Sequence, residues 1–328
     1  MTMNRRTLLQ SASLALATAG FPAARAWAQG SDKPLNLLVP WPAGGPVDVT
    51  ARILQPELSR LSGVPVVIEN TPGAGGVIGL NRYAQRPQAE RGLVMISVSD
   101  AITSLPAAQG QKLKPEEFRL LNIVASGGAS LMVREGLPAR TFDELVRLMR
   151  GQAAQSLKVG HLGVGSWQHL TWEELAARVG LTALQVPYKG VPDILRDLGA
   201  GDLDMALLPG NAAVMGYPRV RAIATSAAMR TSFYPDLPTL AESTAAAGYS
   251  AEGWWALGVM RDTAPAEVDR LERWSHAAIG SHAVASAFKA QTINPPPVMS
   301  RQDLDSFFKA EIERFRVQLK RLGLLAAA

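Results

Sequence analysis

Cysteine is absent from the 328 residues. Disulfides, thiolate nucleophiles and cysteine metal sites are therefore excluded. Histidine is scarce: His161, His169, His276 and His282 form no HxxxH or HExxH pair, so no zinc site or other metal is expected. No GxxxxGK[ST] loop, GxSxG elbow or GxGxxG turn occurs, and no cofactor is expected. There is no lysine–arginine run, so nucleic acid is not an expected partner. No apolar stretch is long enough for a membrane anchor. Charged residues make up only 19% against 47% hydrophobic, enough apolar matter for a sizeable core.

The first segment is read as an export signal and not as fold. MTMNRRTLLQ places Arg5 and Arg6 together, SLALATAG follows, and Ala26-Trp27-Ala28 supplies a small-x-small cleavage site. Residues 1–28 are expected to leave after Ala28, giving a periplasmic protein. The arginine pair resembles a twin-arginine signal, with an ordinary secretory signal as the alternative. Losing Arg5, Arg6 and Arg25 lowers the formal charge from +5 to +2.

The remainder reads as alternating strands and helices. LNLLVP (35–40) is an apolar strand between prolines. After Gly44–Gly45, residues Val47, Ala51, Leu54, Leu58 and Leu61 keep the four–three rhythm of one helix face, with Pro46 in the first turn and Gly63 at the end. PVVIE (65–69) is the next strand, a second glycine-rich loop (70–79) leads to a helix near Leu80, and LVMISV (93–98) is a third strand. This order predicts a parallel α/β sheet. The pattern repeats with strands at 131–133, 157–160, LQVPY, 203–208 and 221–226. Thr141 with Glu144 has capping-box spacing. Ser166 is placed as the N-cap of a helix ending at Gly180, and Pro192 opens another. The tail after Ala264 is expected to be helical.

VPWPAGGPVDVTAR, VVIENTPGAGGVIG, LKVGHLGVGSWQHLTWEEL, VPYKG, LGAGDLDM, VRAIATS, DLPTLAE and GWWALG follow one another along the chain. Together they resemble the substrate-binding proteins of tripartite tricarboxylate transporters, the Bordetella-uptake-gene (Bug) type. The resemblance implies a two-lobed α/β periplasmic binding protein, type II-like, of the Venus-flytrap kind. Lobe 1 would comprise 29–127 and 255–328, and lobe 2 would comprise 128–254. It implies a non-catalytic, monomeric receptor that captures a small organic carboxylate and delivers it to the membrane components of a tripartite transporter. A component feeding a sensor system and an exported α/β enzyme remain the alternatives.

A glycine turn before a helix leaves backbone N–H groups open to an anion and adds the partial positive charge of the helix start. Gly44 and Gly45 are therefore expected to seat a carboxylate, with Ala43 beside them, Trp41 as an apolar wall and Asp48 in the first turn. The matching loop of lobe 2 offers Gly165 and Ser166. His169 matches a family position, with a packed or capping role as the alternative. Ser97, Ser99 and Pro209 complete the expected ligand-binding set. Leu208 stands where relatives carry an acid or amide, which points to an amine-free ligand. Tyr188 and Lys189 are expected to shape the turn before Pro192.

Overall fold

The computed structural model describes residues 33–108, 111–151, 156–211, 215–293, 295 and 298–325. The export segment read at 1–28 lies outside the described residues. The fold begins at Leu35, where a compact unit runs to the end of the chain.

Strand β1 (Leu35–Val39) leads through the Gly44–Gly45 turn into helix α1 (Pro46–Ser62). Val47, Ala51, Leu54 and Leu58 bury the predicted face, while Leu61 is only partly buried. Each buried leucine contributes roughly 1.5–3 kcal/mol. Gly63 stops the helix in the left-handed region at φ 74°, donating its N–H to Ser59 O at 3.1 Å. Strand β2 (Val66–Asn70), helix α2 (Val77–Ala84) and strand β3 (Leu93–Ser97) follow. All five residues of β3 are buried, as expected of a strand covered on both faces. Beyond it the chain winds into a π-helical turn, Val98–Ser104.

Strand β4 corrects the sequence reading. It runs from Phe118 to Arg134, 17 residues, where a short strand at 131–133 was expected. Ser126, Gly127 and Gly128 have the composition of a loop, yet the strand passes straight through them. A Cβ on Gly128 would lie 2.1 Å from the Ala227 N atom, so only glycine admits this close approach.

The second half adds α3 (Phe142–Arg150), β5 (Lys158–His161), α4 (Trp167–Val179), β6 (Leu184–Pro187), α5 (Val191–Ala200), β7 (Met205–Pro209) and β8 (Val220–Thr225). The Thr141 hydroxyl accepts from the Glu144 N–H at 3.2 Å, as its spacing predicts. Glu144 reaches back to the Arg140 N–H and not to that of Thr141. The chain returns through β9 (Glu252–Met260) and ends in α6 (Pro265–Ile279), α7 (His282–Ala290) and α8 (Arg301–Arg321).

The strands form one mixed sheet, ordered β2-β1-β3-β9-β4-β7-β5-β6, with β8 also on β4. β1 pairs in parallel with β2 and β3, and β5 pairs in parallel with β6 and β7. The middle is antiparallel, which the expectation of a parallel sheet did not include. β4 holds β9 along Phe118–Gly128, then β7 and β8 along Ala129–Arg134. One strand therefore belongs to both halves, and β9 runs beside it. Alternate residues feed opposite faces: Leu37 joins the core beneath α1, and Leu38 joins the one that holds Phe308 and Phe315 of α8.

Candidate ligand-binding site

A cavity of about 200 Å³ lies where the halves meet. Its floor is β4 at Ala125–Gly128 with Ser130, next to Gly253–Trp255 of β9. The first turns of three helices reach it: Gly45, Pro46 and Val47 of α1, Trp167 and Gln168 of α4, and Val191 of α5. First-turn N–H groups lack intrahelical acceptors, and each helix start carries partial positive charge. No lysine, arginine, histidine, aspartate or glutamate is among the described lining residues. What the described lining offers an anion is oriented amides and not an ion pair.

Aromatic side chains supply much of the wall: Trp41, Trp167, Phe233, Tyr234, Trp254 and Trp255. Three of the indole N–H groups are already committed elsewhere. Trp41 Nε1 donates to Asp100 Oδ2 at 3.0 Å, Trp254 Nε1 to Glu311 Oε2 at 2.9 Å, and Trp255 Nε1 to Thr50 Oγ1 at 3.2 Å. These rings offer the cavity their carbon surfaces.

Trp41, Gly45, Ser97, Ser99 and Pro209 all border the cavity. Ala43, Gly44, Asp48, Gly165, Ser166 and His169 do not: Ala43 is exposed, and the other five are engaged in local hydrogen bonds. Gly44 is exposed and its N–H donates to Asp48 Oδ2 at 2.8 Å. The Gly45 N–H donates to Pro42 O at 3.3 Å. The turn thus consumes the two donors expected to seat a carboxylate, and what borders the cavity with no intrahelical acceptor is the first helical turn, beginning with the Val47 N–H. Asp48 is fully buried, bound also by Arg52 Nε at 2.8 Å and Asn70 Nδ2 at 2.9 Å. Burial pushes its carboxyl up, but the bonds from Arg52, Gly44 and Asn70 outweigh this and hold it below the ordinary value.

The glycine loop ahead of α4 behaves alike. The Gly165 N–H donates to His169 Nδ1 at 3.2 Å, and the Ser166 N–H to Gly163 O at 3.1 Å. Ser166 is the N-cap, its hydroxyl accepting the His169 N–H at 3.3 Å. His169 stacks on His161, centroids 4.6 Å apart, and His161 Nδ1 bonds Gly163 O at 2.9 Å. The two rings brace the loop. Burial, reinforced by its neighbour His169, pushes His161 down to about 4, and burial lowers His169 as well. Both rings are neutral near pH 7.

Ser97 and Ser99 have their hydroxyl protons engaged. Ser97 Oγ donates to Asp100 Oδ2 at 3.0 Å, and Ser99 Oγ donates across the cleft to Gln168 Oε1 at 2.8 Å. Asp100 is fully buried behind this wall and also accepts the Ser97 and Ala101 N–H groups. Burial pushes its carboxyl up to about 7 against the pull of the Ser97, Ala101 and Trp41 donors.

The sequence reading missed Val47, Gln168, Val191 and Asn211, all of which border the cavity. Leu208, credited with shaping ligand choice, packs instead into the core beneath α1. Strand alternation explains this: Met205 and Leu207 face one core and Ala206 and Leu208 the other, while Pro209 ends the strand at the cavity, with Gly210 and Asn211 beyond it. Tyr188 shapes its turn as expected, through Tyr188 N–H to His161 O at 2.8 Å and its hydroxyl to Asp197 Oδ2 at 2.9 Å.

Two α/β halves sharing β4, with a cavity ringed by helix starts between them, define the two-lobed periplasmic binding protein fold. The chain belongs to the tripartite tricarboxylate transporter family of receptors, whose model matches residues 50–324. It is 30% identical to Protein BugT of Bordetella pertussis, over 98% of this chain and 99% of that one. It is 28% identical to a protein of the tcbD-tcbE intergenic region of Pseudomonas sp. strain P51, over 96% and 93%. Among solved structures it is similar to an R. palustris protein with adipate, at TM-score 0.82 and 27% identity, covering 92% of this chain and 100% of that one. The periplasmic binding protein BugD shares the fold at TM-score 0.80 and 23% identity, covering 90% and 99%.

Proposed function

We propose that this protein is a periplasmic, non-catalytic receptor that closes its lobes over a small organic carboxylate. The closed form is what it offers to the membrane components of a tripartite transporter. The observation that carries this reading is the meeting of three helix starts on a cavity whose described lining holds no charged side chain. The R. palustris relative solved with adipate supports a carboxylate as cargo. The family is one of receptors, not enzymes. Among the described residues, no helix is long and apolar enough to cross a membrane. In this reading residues 1–28 direct twin-arginine export and are removed after Ala28, and the mature chain acts as a monomer. The lobes are 29–127 with 255–328, and 128–254. The ligand set is Trp41, Gly45, Val47, Ser97, Ser99, Gln168 and Pro209, held in place by Asp48, Ser166 and His169.

The test is a thermal-shift screen of mono-, di- and tricarboxylates on the mature protein, followed by calorimetry. A ligand that binds only the folded form raises the melting temperature, by about 2.7 kcal/mol of stability at a hundred times its Kd. A flat screen across all three classes refutes the reading.

A further inference from the structure

We propose that Thr292 and Tyr234 form a latch between the two halves, and that Thr292 stands in a glycine conformation because its side chain is needed for that latch. This deepens the receptor reading above and rests on it.

Thr292 has φ 54°, in the left-handed region, where a β-branched residue is an outlier. It closes α7 as a Schellman end does. The Ile293 N–H donates to Phe288 O at 2.8 Å, and the Thr292 N–H to Lys289 O at 3.0 Å. Glycine is the residue that such a position favours, since it has no Cβ to strain. Helices α1, α4 and α5 follow that rule and end on left-handed Gly63, Gly180 and Gly201. Among the described residues, the other non-glycine positions with left-handed φ are Ala74 and Arg219, and neither borders the cavity. Thr292 does. Strain of this kind persists where a side chain has a task that glycine cannot perform.

The contact of that side chain supplies the task. Thr292 Oγ1 lies 3.4 Å from the hydroxyl oxygen of Tyr234, which also borders the cavity. The two residues belong to opposite halves. Thr292 follows α7, which packs on α1 and α6. Tyr234 lies between β8 and β9, in a segment tied to the second half: the Thr225 N–H at the end of β8 donates to Pro238 O at 2.9 Å, and Arg230 Nη1 donates to Pro235 O at 3.0 Å. Neither hydroxyl has another partner among the described residues. The separation is longer than a settled hydroxyl bond, so the pair has room to tighten as the halves close. Glycine would relieve the end of α7 and lose this reach. A bond made only in the closed form slows release of the ligand and leaves capture by the open form unchanged.

The test is calorimetry and stopped-flow tryptophan fluorescence on the mature protein, with whichever of succinate, adipate, citrate and benzoate gives the largest thermal shift. Thr292→Gly should raise the melting temperature of the unliganded protein by about 2 °C or more, as the strain is relieved. It should weaken binding about fivefold, the equivalent of one ordinary hydrogen bond. The loss should appear as faster release, with the capture rate within about twofold. Tyr234→Phe should speed release to the same extent. The double variant should bind within about twofold of either single one, because both remove the same bond. A threonine that served only the helix end would move stability and not release. Unchanged affinity in Thr292→Gly, a fall in its melting temperature, or losses that add in the double variant overturns the proposal while the carboxylate reading stands. If none of the four carboxylates shifts the melting temperature, both fall.

Discussion

Gly190 lies against Pro42 across the cleft, and this contact gives lobe closure a sharp test. Gly190 precedes α5 in the second half, and Pro42 follows β1 in the first. A Cβ built on Gly190 would sit 2.3 Å from Pro42 Cγ and 2.7 Å from Cδ. Ordinary contact begins at 3.4 Å, so the first distance falls 1.1 Å short. The proline ring is stiff and cannot swing aside, so the halves themselves must separate. Overpacking of this size costs about 1–3 kcal/mol. Gly190 has extended backbone at φ −174°, which alanine adopts freely. Alanine is a poorer N-cap than glycine but restricts the unfolded chain, and these effects offset to within about 1 kcal/mol. In an open form the clash disappears. Gly190→Ala should therefore keep the melting temperature of the unliganded protein and weaken ligand binding about 5- to 150-fold. Calorimetry with the best ligand from the screen measures the second quantity. Adding Pro42→Ala removes the ring and should recover most of the loss, a coupling that a general disturbance would not show. Unchanged affinity in a folded Gly190→Ala protein would refute closure through this contact.

Gly45→Val should fold, because its φ is −76° and a Cβ meets only Pro42 O at 3.3 Å and Pro192 Cδ at 3.8 Å; binding should drop at least tenfold as the side chain fills the cavity beside α1. Wild-type affinity in that variant removes the turn from the site. Two groups give opposing pH slopes. Asp100, pushed up to about 7 from 3.8, contributes stability in full below about pH 4 and loses it as pH rises toward 7, whereas His161, pushed down to about 4 from 6.5, contributes in full above about 6.5 and loses it as pH falls toward 4. Asp100→Asn removes the first slope, so on acidification from pH 7 to 4 the variant should lose stability faster than wild type, by up to about 1.4 kcal/mol per pH unit; parallel stability curves contradict this. Replacing Arg5 and Arg6 by lysine should hold the protein in the cytoplasm, and normal export of that variant would point to the general secretory route.

The elements near α1 were legible because their signals are local. Pro46, the four–three rhythm and Gly63 specify one helix without help from the rest of the chain. β4 was not legible in the same way. Its Ser126–Gly128 stretch has loop composition, and it stays extended because β9 supplies Gly253 and Glu252 as partners from more than a hundred residues away. The site shows the same division. Glycine loops ahead of helices marked the right places, but composition does not say which N–H groups a loop spends on itself. Gly44 and Gly165 are spent on Asp48 and His169 through side chains four residues further on. Asn211 stood in a segment that was read, but the attention went to Leu208. Strand alternation from Met205 onward would have turned it from Leu208 to Pro209, whereas Asn211 lies beyond the end of the strand.

In the proposed receptor, a seat made of helix starts, with no cation among the described lining residues, suits a protein that must let go. A buried arginine would hold a carboxylate from one lobe alone, through a bidentate pair that opening the cleft leaves intact. Here the donors are divided, α1 in the first half and α4 and α5 in the second, and the Ser99–Gln168 bond joins them only while the halves touch. Suppose the closed complex has a Kd of about 1 μM, about −8.2 kcal/mol, drawn equally from both sides. Opening then leaves about −4.1 kcal/mol, a Kd of about 1 mM. Any membrane partner that favours the open form of the receptor thus weakens the ligand about a thousandfold without touching it. The same division explains why neutral aromatic walls serve better than charge: they add affinity that depends on enclosure, and enclosure is what the partner removes.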